Sequence, residues 1–379
     1  MAKLVFWTAV GLVMFTYFGY SISILVLSRV IRRPPLRGDA MPFVTFLITA
    51  YNEQRNIAAK LEQTLGLDYP TDRLEILVAS DGSTDQTDEI VRQFAPRGVR
   101  LVRVEGRVGK TETQNQAVKQ ARGEIIIFSD ATTRYEGSAV RKIVRNYADP
   151  EVGAVSGRYE YFNPTGAAIG LGSILFWKYE NLIKRLQTDI RTITGCCGCI
   201  YSLRKAAYVP LPADIISDLC EPLKVLEQGY RIVFEPEAIA YEETTERTRE
   251  EFKMRVRVVT RGMRGLLFVR HLFNPVRYPF VSFQLFSHKV LRWLVPIFML
   301  VALGANSFLL DHTLYRVTIL LQATLIGLAL LGWLAERLRL RVPLVGIPLY
   351  FATVNAAAVV AMYRIWQGHK AVTWETVRR

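Results

Sequence analysis

Carboxylate side chains recur in three short polar segments, each of which directly follows a run of apolar residues. The segments are 50–53 (AYNE), 81–85 (DGSTD) and 130–132 (DAT). Carboxylates beside an asparagine can hold a nucleoside through hydrogen bonds, and one further carboxylate can hold Mg²⁺ or Mn²⁺ against a diphosphate. Each segment alone could be only a turn or a helix cap, because Asp, Asn, Ser and Gly favour both. Their chemistry therefore depends on whether the fold brings them together.

Apolar runs and helical segments alternate through this part of the chain. Strands are predicted at 43–49, 74–80, 99–104 and 124–129, with helices between them at 54–65, 85–94 and 111–121. Short apolar strands separated by helices predict right-handed crossovers and a mostly parallel sheet. Ligands bind outside the carboxyl ends of the strands in such a sheet. We therefore expect the three carboxylate segments to meet at one edge.

A lysine next to this edge could supply positive charge. Lys110 follows Gly109 and would suit the phosphates of a nucleotide. The string 106–111 (GRVGKT) looks like a P-loop, but Val104 stands where that motif needs its first glycine. The spacing therefore excludes a P-loop NTPase.

Long apolar runs flank this region. No charged residue occurs from Leu4 to Leu27, a run long enough at ~1.5 Å per residue to cross a ~30 Å hydrocarbon core. Four arginines follow at once, which places the next segment in the cytoplasm by the positive-inside rule. Three more apolar runs lie at 294–310, 317–334 and 342–362. The basic tail favours the cytoplasm, whereas four complete crossings would place it outside; this conflict stays open.

The predicted organisation has five parts. They are an N-terminal anchor (1–37), a cytoplasmic catalytic domain (40–246), amphipathic interface helices (247–290), about three C-terminal transmembrane helices (291–365) and a tail (366–379). The net charge of +14 mostly flanks the apolar runs, where anionic membrane lipids attract Lys and Arg. Nucleic acid is excluded as a partner, because neither zinc-finger spacing nor an aromatic RNA-binding motif occurs. The expected location is the inner or plasma membrane, with several passes.

Taken together, the motifs resemble family-2 glycosyltransferases with the GT-A fold. The segments at 51–53, 80–85, 109–110 and 129–131 carry this resemblance, and the stretch 216–238 resembles the acceptor-side segment of the membrane synthases of hyaluronan, cellulose, chitin oligosaccharides and poly-N-acetylglucosamine. The implied fold is an α/β GT-A domain with transmembrane and interfacial helices. The implied cofactor is Mg²⁺ or Mn²⁺.

The resemblance also implies a role for individual residues. The donor side would consist of the nucleoside loop, a uracil contact, a diphosphate contact and a metal ligand: Ala50, Tyr51, Asn52 and Glu53; Asp81; Lys110; and Asp130. Asp218 would be the general base that takes the proton from the acceptor hydroxyl, with Asp214 as the fallback. Asp218 also fits a helix N-cap with Glu221 three residues later, the spacing of a capping box, and the two roles are compatible.

Two departures from the family pattern limit what can be carried over. The metal motif usually has a second Asp two positions after the first, but Thr132 stands there. Processive members carry a Gln-x-x-Arg-Trp motif, whereas Arg255, Val258 and Val259 occupy the matching positions here. The first departure leaves Asp130 as the one metal carboxylate. The second puts long-chain processivity in doubt.

The segment around these positions has helical periodicity. An apolar stripe runs through Phe252, Val256, Val259, Met263 and Leu266, opposite Arg257, Arg261 and Arg264. Such a helix suits the headgroup plane of a membrane. We favour interface anchoring for it, with Arg261 as the best candidate for an additional phosphate contact.

Acceptor-side candidates lie on a predicted helix at 170–186 and in the glycine- and cysteine-rich segment 194–199. They are Trp177 and Glu180, which could line an acceptor groove or simply pack, and Gly195 beside the channel. The hypothesis is an inverting, metal-dependent transfer from a nucleotide-sugar, expected to be a UDP-sugar, to a growing saccharide at the cytoplasmic membrane face. The alternative acceptor is a membrane lipid that receives one sugar. A catalytically inactive membrane subunit is the non-enzymatic alternative.

Overall fold

One eight-stranded sheet connects the donor-side and acceptor-side segments. In this computed structural model, residues 1–164, 166–340, 342–369 and 372–373 are described. The strands are β1 (Val44–Ala50), β2 (Leu74–Asp81), β3 (Val99–Val104), β4 (Ile125–Asp130), β5 (Arg134–Tyr135), β6 (Val152–Phe162), β7 (Tyr201–Arg204) and β8 (Arg231–Glu243). The first four agree with the strands predicted from the sequence.

The sheet has the order β3-β2-β1-β4-β7-β6-β8-β5. Parallel pairing joins β1 to β2 and β4, β2 to β3, and β6 to β8. Antiparallel pairing joins β7 to β4 and β6, and β5 to β8. The sheet is thus mostly parallel, as expected, and the antiparallel β7 joins its two parallel parts.

Helices cover both faces of the sheet. Those of the central region are α3 (Ile57–Leu65), α4 (Thr87–Gln93), α5 (Lys110–Gln120), α6 (Ala139–Val144), α7 (Ala168–Ile190), α8 (Ser217–Glu227) and α9 (Thr248–Phe268), after α1 and α2 described below. Alternate residues of β1 enter different cores, because strand side chains point to opposite faces. Phe46 and Ile48 pack with α3, α4 and α6, whereas Leu47 packs with α5, α8 and α9.

Four helices are long and apolar enough to cross a membrane. The first is continuous from α1 (Ala2–Met14) through a π-helical turn (Phe15–Gly19) into α2 (Tyr20–Val30). The second runs from α10 (Pro279–Leu285) through another π-helical turn (Phe286–Val290) into α11 (Leu291–Ser307). The others are α12 (Thr313–Arg337) and α13 (Gly346–Trp366).

Short 3₁₀ turns lie at Thr71–Arg73, Ala95–Arg97, Arg145–Ala148, Lys205–Ala207, Arg270–Phe273 and Pro343–Val345. The helix Pro279–Ser307 crosses residue 290, where the sequence predicted the end of the interface region. Most of the predicted tail, including Lys370 and residues 374–379, lies outside the described residues.

Membrane helices pack on each other and on the central region. Phe6 and Ala9 of α1 contact Ala302 and Ala305 of α11, so the first and second candidate spans are neighbours. The last candidate span, α13, packs on α7 and α9 as well as on α11 and α12. These contacts bring the acceptor-side helix α7 next to the membrane helices.

Candidate active site

The three carboxylate segments meet at one edge of the sheet. Thr49 of β1 is paired with Asp130 of β4, and Ala50 is paired with Ser80 of β2. Parallel strands in this register end side by side, so the segments that follow them are adjacent. The predicted convergence is therefore confirmed.

Asp81 lies fully buried at the end of β2. Its carboxylate accepts hydrogen bonds from the backbone N–H of Val108 at 2.8 Å and of Gly109 at 3.1 Å. Burial raises the pKa of Asp81, and these two backbone hydrogen bonds oppose the rise. Asp81 thus holds the loop that precedes Lys110, while its contact with uracil stays a prediction.

The segment 50–53, which is predicted to contact the nucleoside, is hydrogen bonded to the segment after β2. Asn52 has a φ of 54°, a left-handed conformation that asparagine tolerates better than most residues. Its side-chain oxygen accepts a hydrogen bond from the Thr84 N–H at 2.8 Å, and the Glu53 N–H donates to the Thr87 hydroxyl at 2.8 Å. The Arg107 guanidinium lies 4.2 Å from the centre of the Tyr51 ring. These contacts hold the two donor-side loops in fixed relative positions.

Lys110 and Asp130 form an ion pair at this edge. The Lys110 ammonium contacts the Asp130 carboxylate and lies 3.4 Å from the Gly198 carbonyl oxygen. Burial alone would lower the pKa of Lys110, but the negative charge of Asp130 raises it above its ordinary value. Lys110 therefore stays charged, while its contact with a diphosphate stays a prediction.

The metal-binding capacity of this edge rests on few carboxylates. Among the described residues, no cluster of three or more His, Cys, Asp or Glu side chains could hold a metal ion. The Thr132 hydroxyl instead donates a hydrogen bond to Glu242 of β8 at 3.0 Å. The Asp130 side chain is 37% exposed and lines the central cavity. One carboxylate with substrate phosphates is a common arrangement for Mg²⁺, so Asp130 fits an ion shared with the donor.

Asp218 occupies a different helix position from the one predicted. Helix α8 begins at Ser217 with Ile216 as its N-cap, so Asp218 lies inside the first turn. The capping-box prediction is wrong, because Glu221 accepts a hydrogen bond from the Tyr201 hydroxyl at 2.7 Å. A Cβ atom on Gly198 would lie only 2.7 Å from Oδ2 of Asp218. Glycine at this position therefore makes room for the carboxylate.

The charge state of Asp218 follows from its surroundings. Burial raises the pKa of its carboxyl, and the positive charges of Lys110 and Arg261 oppose the rise. Burial also raises the pKa of Glu221 to about 8, which keeps that neighbour mostly protonated at pH 7. The fallback base Asp214 forms an ion pair with Arg264 at 2.5 Å. Asp218 lines the central cavity, whereas Asp214 is not among the residues that line it, and the role of either as a base stays a prediction.

Arg261 lies on α9, and its side chain is buried against the donor side of the site. Its guanidinium donates hydrogen bonds to the Thr111 hydroxyl at 2.9 Å and to the Ile215 carbonyl at 2.6 Å. Burial lowers the pKa of Arg261 to about 10, so it remains charged at neutral pH. Val259, on the predicted apolar stripe, packs on Ala358 and Ala361 of α13. Protein therefore covers α9 at a point where the sequence suggested contact with lipid.

A cavity of about 420 Å³ lies between Lys110, Asp130 and Asp218 and the acceptor-side candidates. Glu53, Lys110 and Asp130 line its donor end, and Asp218 also lines it. The predicted acceptor-side residues Trp177, Glu180 and Gly195 all line the cavity, as does Arg261. Their predicted placement around one space agrees with the structure, while their roles stay predictions.

The sequence did not identify several lining residues. Glu180 accepts a hydrogen bond from His288 at 3.1 Å and contacts Arg292, both on the second candidate span. Those partners lie more than 100 residues away, so no local signal could reveal them. Lys184 was detectable in principle, because it follows Trp177 and Glu180 at helical spacing. Trp293 of α11 lies beside Gly262 of α9. Gly262 follows Val258 and Val259, which stand where processive synthases have the Arg and Trp of their motif.

Comparisons with known proteins agree with this geometry. Residues 45–209 match the family described as Glycosyl transferase family 2. The poly-beta-1,6-N-acetyl-D-glucosamine synthase of Staphylococcus aureus (strain COL) is 30% identical over 255 residues, covering 65% of this chain and 60% of that protein. The same-named protein of Staphylococcus epidermidis is 25% identical over 280 residues, covering 71% and 67%.

A solved structure extends the similarity to nearly the whole chain. It is a mannosyltransferase from Pyrobaculum calidifontis in complex with GDP-Man and Mn²⁺, similar at a TM-score of 0.76 with 20% identity. The match covers 97% of this chain and 100% of that one, which supports the overall fold. Residues 45–209 therefore carry a Glycosyl transferase family 2 domain of GT-A fold, joined to helices long enough to cross a membrane.

Proposed function

We propose that this protein is a membrane-bound inverting glycosyltransferase that moves a sugar from a UDP-sugar to a growing saccharide at the cytoplasmic membrane face. The observation that carries the proposal is the single cavity lined by Lys110, Asp130 and Asp218. This shared lining supports Asp218 as a base that acts in the same space as Lys110 and Asp130. The names of the staphylococcal relatives make UDP-N-acetylglucosamine the first donor to test.

The proposed reaction is a single displacement at the anomeric carbon. The acceptor oxygen forms a bond to this carbon as the bond to the diphosphate oxygen breaks, and the electron pair leaves with the diphosphate. Asp218 takes the proton of the acceptor hydroxyl, and Lys110 places positive charge near the departing group. Attack from the opposite side inverts the configuration of the sugar.

Asp130 would hold the divalent ion. When bound there, Mg²⁺ or Mn²⁺ supplies positive charge at the diphosphate. The Lys110 ammonium contacts the same carboxylate and would shift toward the diphosphate oxygens when the ion is present. The mannosyltransferase of similar fold was solved with Mn²⁺, which supports testing both ions.

A membrane lipid is the second candidate acceptor. Residues from three candidate spans line the cavity: Tyr17, Trp293 and Asn355. An acceptor that enters the cavity next to these three residues would reach Asp218 from the membrane. Val258 and Val259, where processive synthases have the Arg and Trp of their motif, favour the same alternative.

The test is release of UDP by the purified full-length protein in lipid, across UDP-sugars and GDP-mannose with Mg²⁺ or Mn²⁺. We expect release from one UDP-sugar that depends on the metal ion, followed by a product that mass spectrometry can size. A ladder of lengths supports a polymerase, and a single added sugar supports a glycolipid enzyme. Absence of release from every donor would contradict the proposed activity.

Three membrane crossings, with both the catalytic domain and the C terminus in the cytoplasm, complete the proposal. Glu336 at the end of α12 accepts a hydrogen bond from the Thr248 N–H of α9 at 3.1 Å, which supports return of α12 to the catalytic side. Beyond α13, the Val372 carbonyl lies 2.5 Å from where a Cβ atom on Gly109 would stand. Because Gly109 belongs to the catalytic domain, a chain that reaches it directly after α13 is on the catalytic side of the membrane. In this arrangement α13 does not make a fourth crossing.

Cysteine labelling tests this topology. In intact cells, we expect a membrane-impermeant maleimide to label Asp311→Cys, which lies between α11 and α12, but not Arg379→Cys. Permeabilised cells should label both, and the wild-type chain with its four native cysteines gives the background. Labelling of the cysteine at position 379 in intact cells would refute the three-crossing arrangement.

A further inference from the structure

Positive side chains are concentrated where the cavity meets the membrane helices. Lys184 of α7, Lys289 of the second π-helical turn and Arg292 of α11 all line this end. Lys184 is only 5% exposed, although its position in the lining directs it to the cavity. We call these three residues the cationic cluster.

Within the described part of the chain, ion pairs neutralise little of the positive charge of the cationic cluster, although Asp218 lines the same cavity. Glu180 is the one carboxylate with an ion pair in this group, and it contacts His288 and Arg292. Neither Lys184 nor Lys289 has an ion pair or hydrogen bond among the described residues. The Lys184 ammonium lies 5.5 Å from the centre of the Trp177 ring and 6.0 Å from the centre of the Phe234 ring.

Arg292 also has unused hydrogen-bonding capacity. Its Nε and Nη2 atoms are buried without a hydrogen-bond partner in the described structure. Buried charges and buried N–H groups cost free energy unless they are paired. Two lysines and one arginine with unsatisfied donors therefore fit a site whose ligand is an anion.

The backbone around the cluster has an unusual geometry on two sides. Lys289 lies in the π-helical turn Phe286–Val290, and Tyr17, another cavity residue, lies in the π-helical turn Phe15–Gly19. Such turns are rare and occur frequently at functional sites. Both of these turns contribute side chains to the same end of the cavity.

The surroundings indicate what carries the anion. Val354 and Ala358 of α13 line the cavity together with the cluster, so apolar surface lies next to the positive charges. A phosphate offers several oxygens to two ammonium groups and one guanidinium. A phosphate joined to an apolar chain would satisfy both surfaces, whereas a neutral saccharide would leave the lysines unpaired.

We propose that Lys184, Lys289 and Arg292 bind the phosphate of a lipid acceptor and so position its hydroxyl for attack. This inference rests on the proposed glycosyl transfer and favours its second candidate acceptor, which it identifies as a lipid that carries a phosphate or diphosphate beside a free hydroxyl. The phosphate forms and breaks no bond in the reaction. The proton of the hydroxyl goes to Asp218, which lines the same cavity as the cluster.

A binding measurement without any donor tests the proposal independently of activity. The full-length protein in phosphatidylcholine nanodiscs is titrated with farnesyl phosphate, farnesol, inorganic phosphate and UDP, and binding is followed by tryptophan fluorescence. We expect farnesyl phosphate to bind at least about tenfold more tightly than farnesol or inorganic phosphate. We expect Lys184→Gln and Lys289→Gln each to weaken its binding by about tenfold or more.

Lys178→Gln is the matched control, because Lys178 is exposed on the same helix α7 as Lys184. It should bind farnesyl phosphate like the wild type. Equal binding of farnesol and farnesyl phosphate, or no loss in the two cluster variants, would overturn the anion site. Inorganic phosphate that binds as tightly as farnesyl phosphate would overturn the lipid assignment. A loss of UDP binding equal to the loss of farnesyl phosphate binding would assign the cluster to the donor instead.

Failure of this inference can be distinguished from failure of the proposed function. Release of UDP from a UDP-sugar by the wild-type protein tests the transferase proposal without reference to the cluster. Farnesyl phosphate binding tests the cluster without a donor. An active enzyme whose cluster variants bind farnesyl phosphate normally would refute only the inference on the acceptor.

Discussion

Replacing Asp218 with asparagine is expected to lower kcat by a factor of about 10²–10⁴, the range typical of a lost general base. Asparagine keeps nearly the same size but cannot take the proton of the acceptor hydroxyl. UDP binding should remain largely intact, because the donor-side loops are held by Asp81, Asn52 and Glu53. Initial rates of sugar transfer and calorimetric titration with UDP measure the two effects separately.

The pH dependence of transfer gives a second measurement on the same residue. Burial raises the pKa of Asp218. As the pH is lowered, Asp218 should therefore become protonated, and the rate should fall, at a higher pH than if the base were an exposed aspartate. The acidic limb of the kcat/KM profile, which reports groups of the free enzyme, should therefore have a midpoint above the ordinary aspartate value of 3.8 and disappear in Asp218→Asn. Asp214→Asn is the control and should retain the limb, since Asp214 is paired with Arg264. Near-normal turnover by Asp218→Asn would refute the assignment of the base.

Removal of the divalent ion is expected to have an effect of similar size. Chelation with EDTA, or Asp130→Asn, should reduce transfer by about 100-fold or more, because the diphosphate then departs without that positive charge. Adding Mg²⁺ or Mn²⁺ should restore the chelated wild type but not the variant. Titration with UDP in the presence and absence of Mn²⁺ provides a readout that does not depend on transfer.

A matched substitution separates the metal site from general effects of charge. Asp72 is exposed in the 3₁₀ turn Thr71–Arg73, away from the cavity lining. Asp72→Asn should keep the Mn²⁺ dependence of UDP binding, whereas Asp130→Asn should lose it. Full transfer activity in EDTA would show that the reaction proceeds without a bound ion and would contradict the role of Asp130.

Local sequence patterns determined the donor half of the site. Each carboxylate segment follows its own strand, and parallel pairing aligns strands β1, β2 and β4 at their carboxyl ends. Strand and helix periodicity therefore sufficed to predict that the segments of Glu53, Asp81 and Asp130 lie at one edge of the sheet. The membrane helices were predictable for the same reason, because length and apolar character are local properties of the chain.

Local patterns failed where a residue can satisfy two roles. Asp218 and Glu221 have the spacing of a capping box, yet the N-cap is Ile216, two residues before Asp218, and Glu221 hydrogen bonds to Tyr201. Helix ends depend on the groups that surround them, so spacing alone cannot distinguish a cap from an inward-facing base. The close approach of Asp218 to Gly198 likewise requires the packing of α8 on the sheet.

The acceptor half depended on contacts between distant parts of the chain. Glu180 meets His288 and Arg292, and Arg261 reaches the Thr111 hydroxyl, across more than 100 residues in each case. No period or motif encodes such pairs, because they arise only when α7, α9 and the membrane helices pack together. The sequence by itself thus determined the GT-A fold, the meeting of the carboxylate segments at one edge of the sheet and the helices long enough to cross a membrane. The tertiary structure alone decided how the cationic cluster surrounds the acceptor end, because unpaired charge is a property of three-dimensional neighbours.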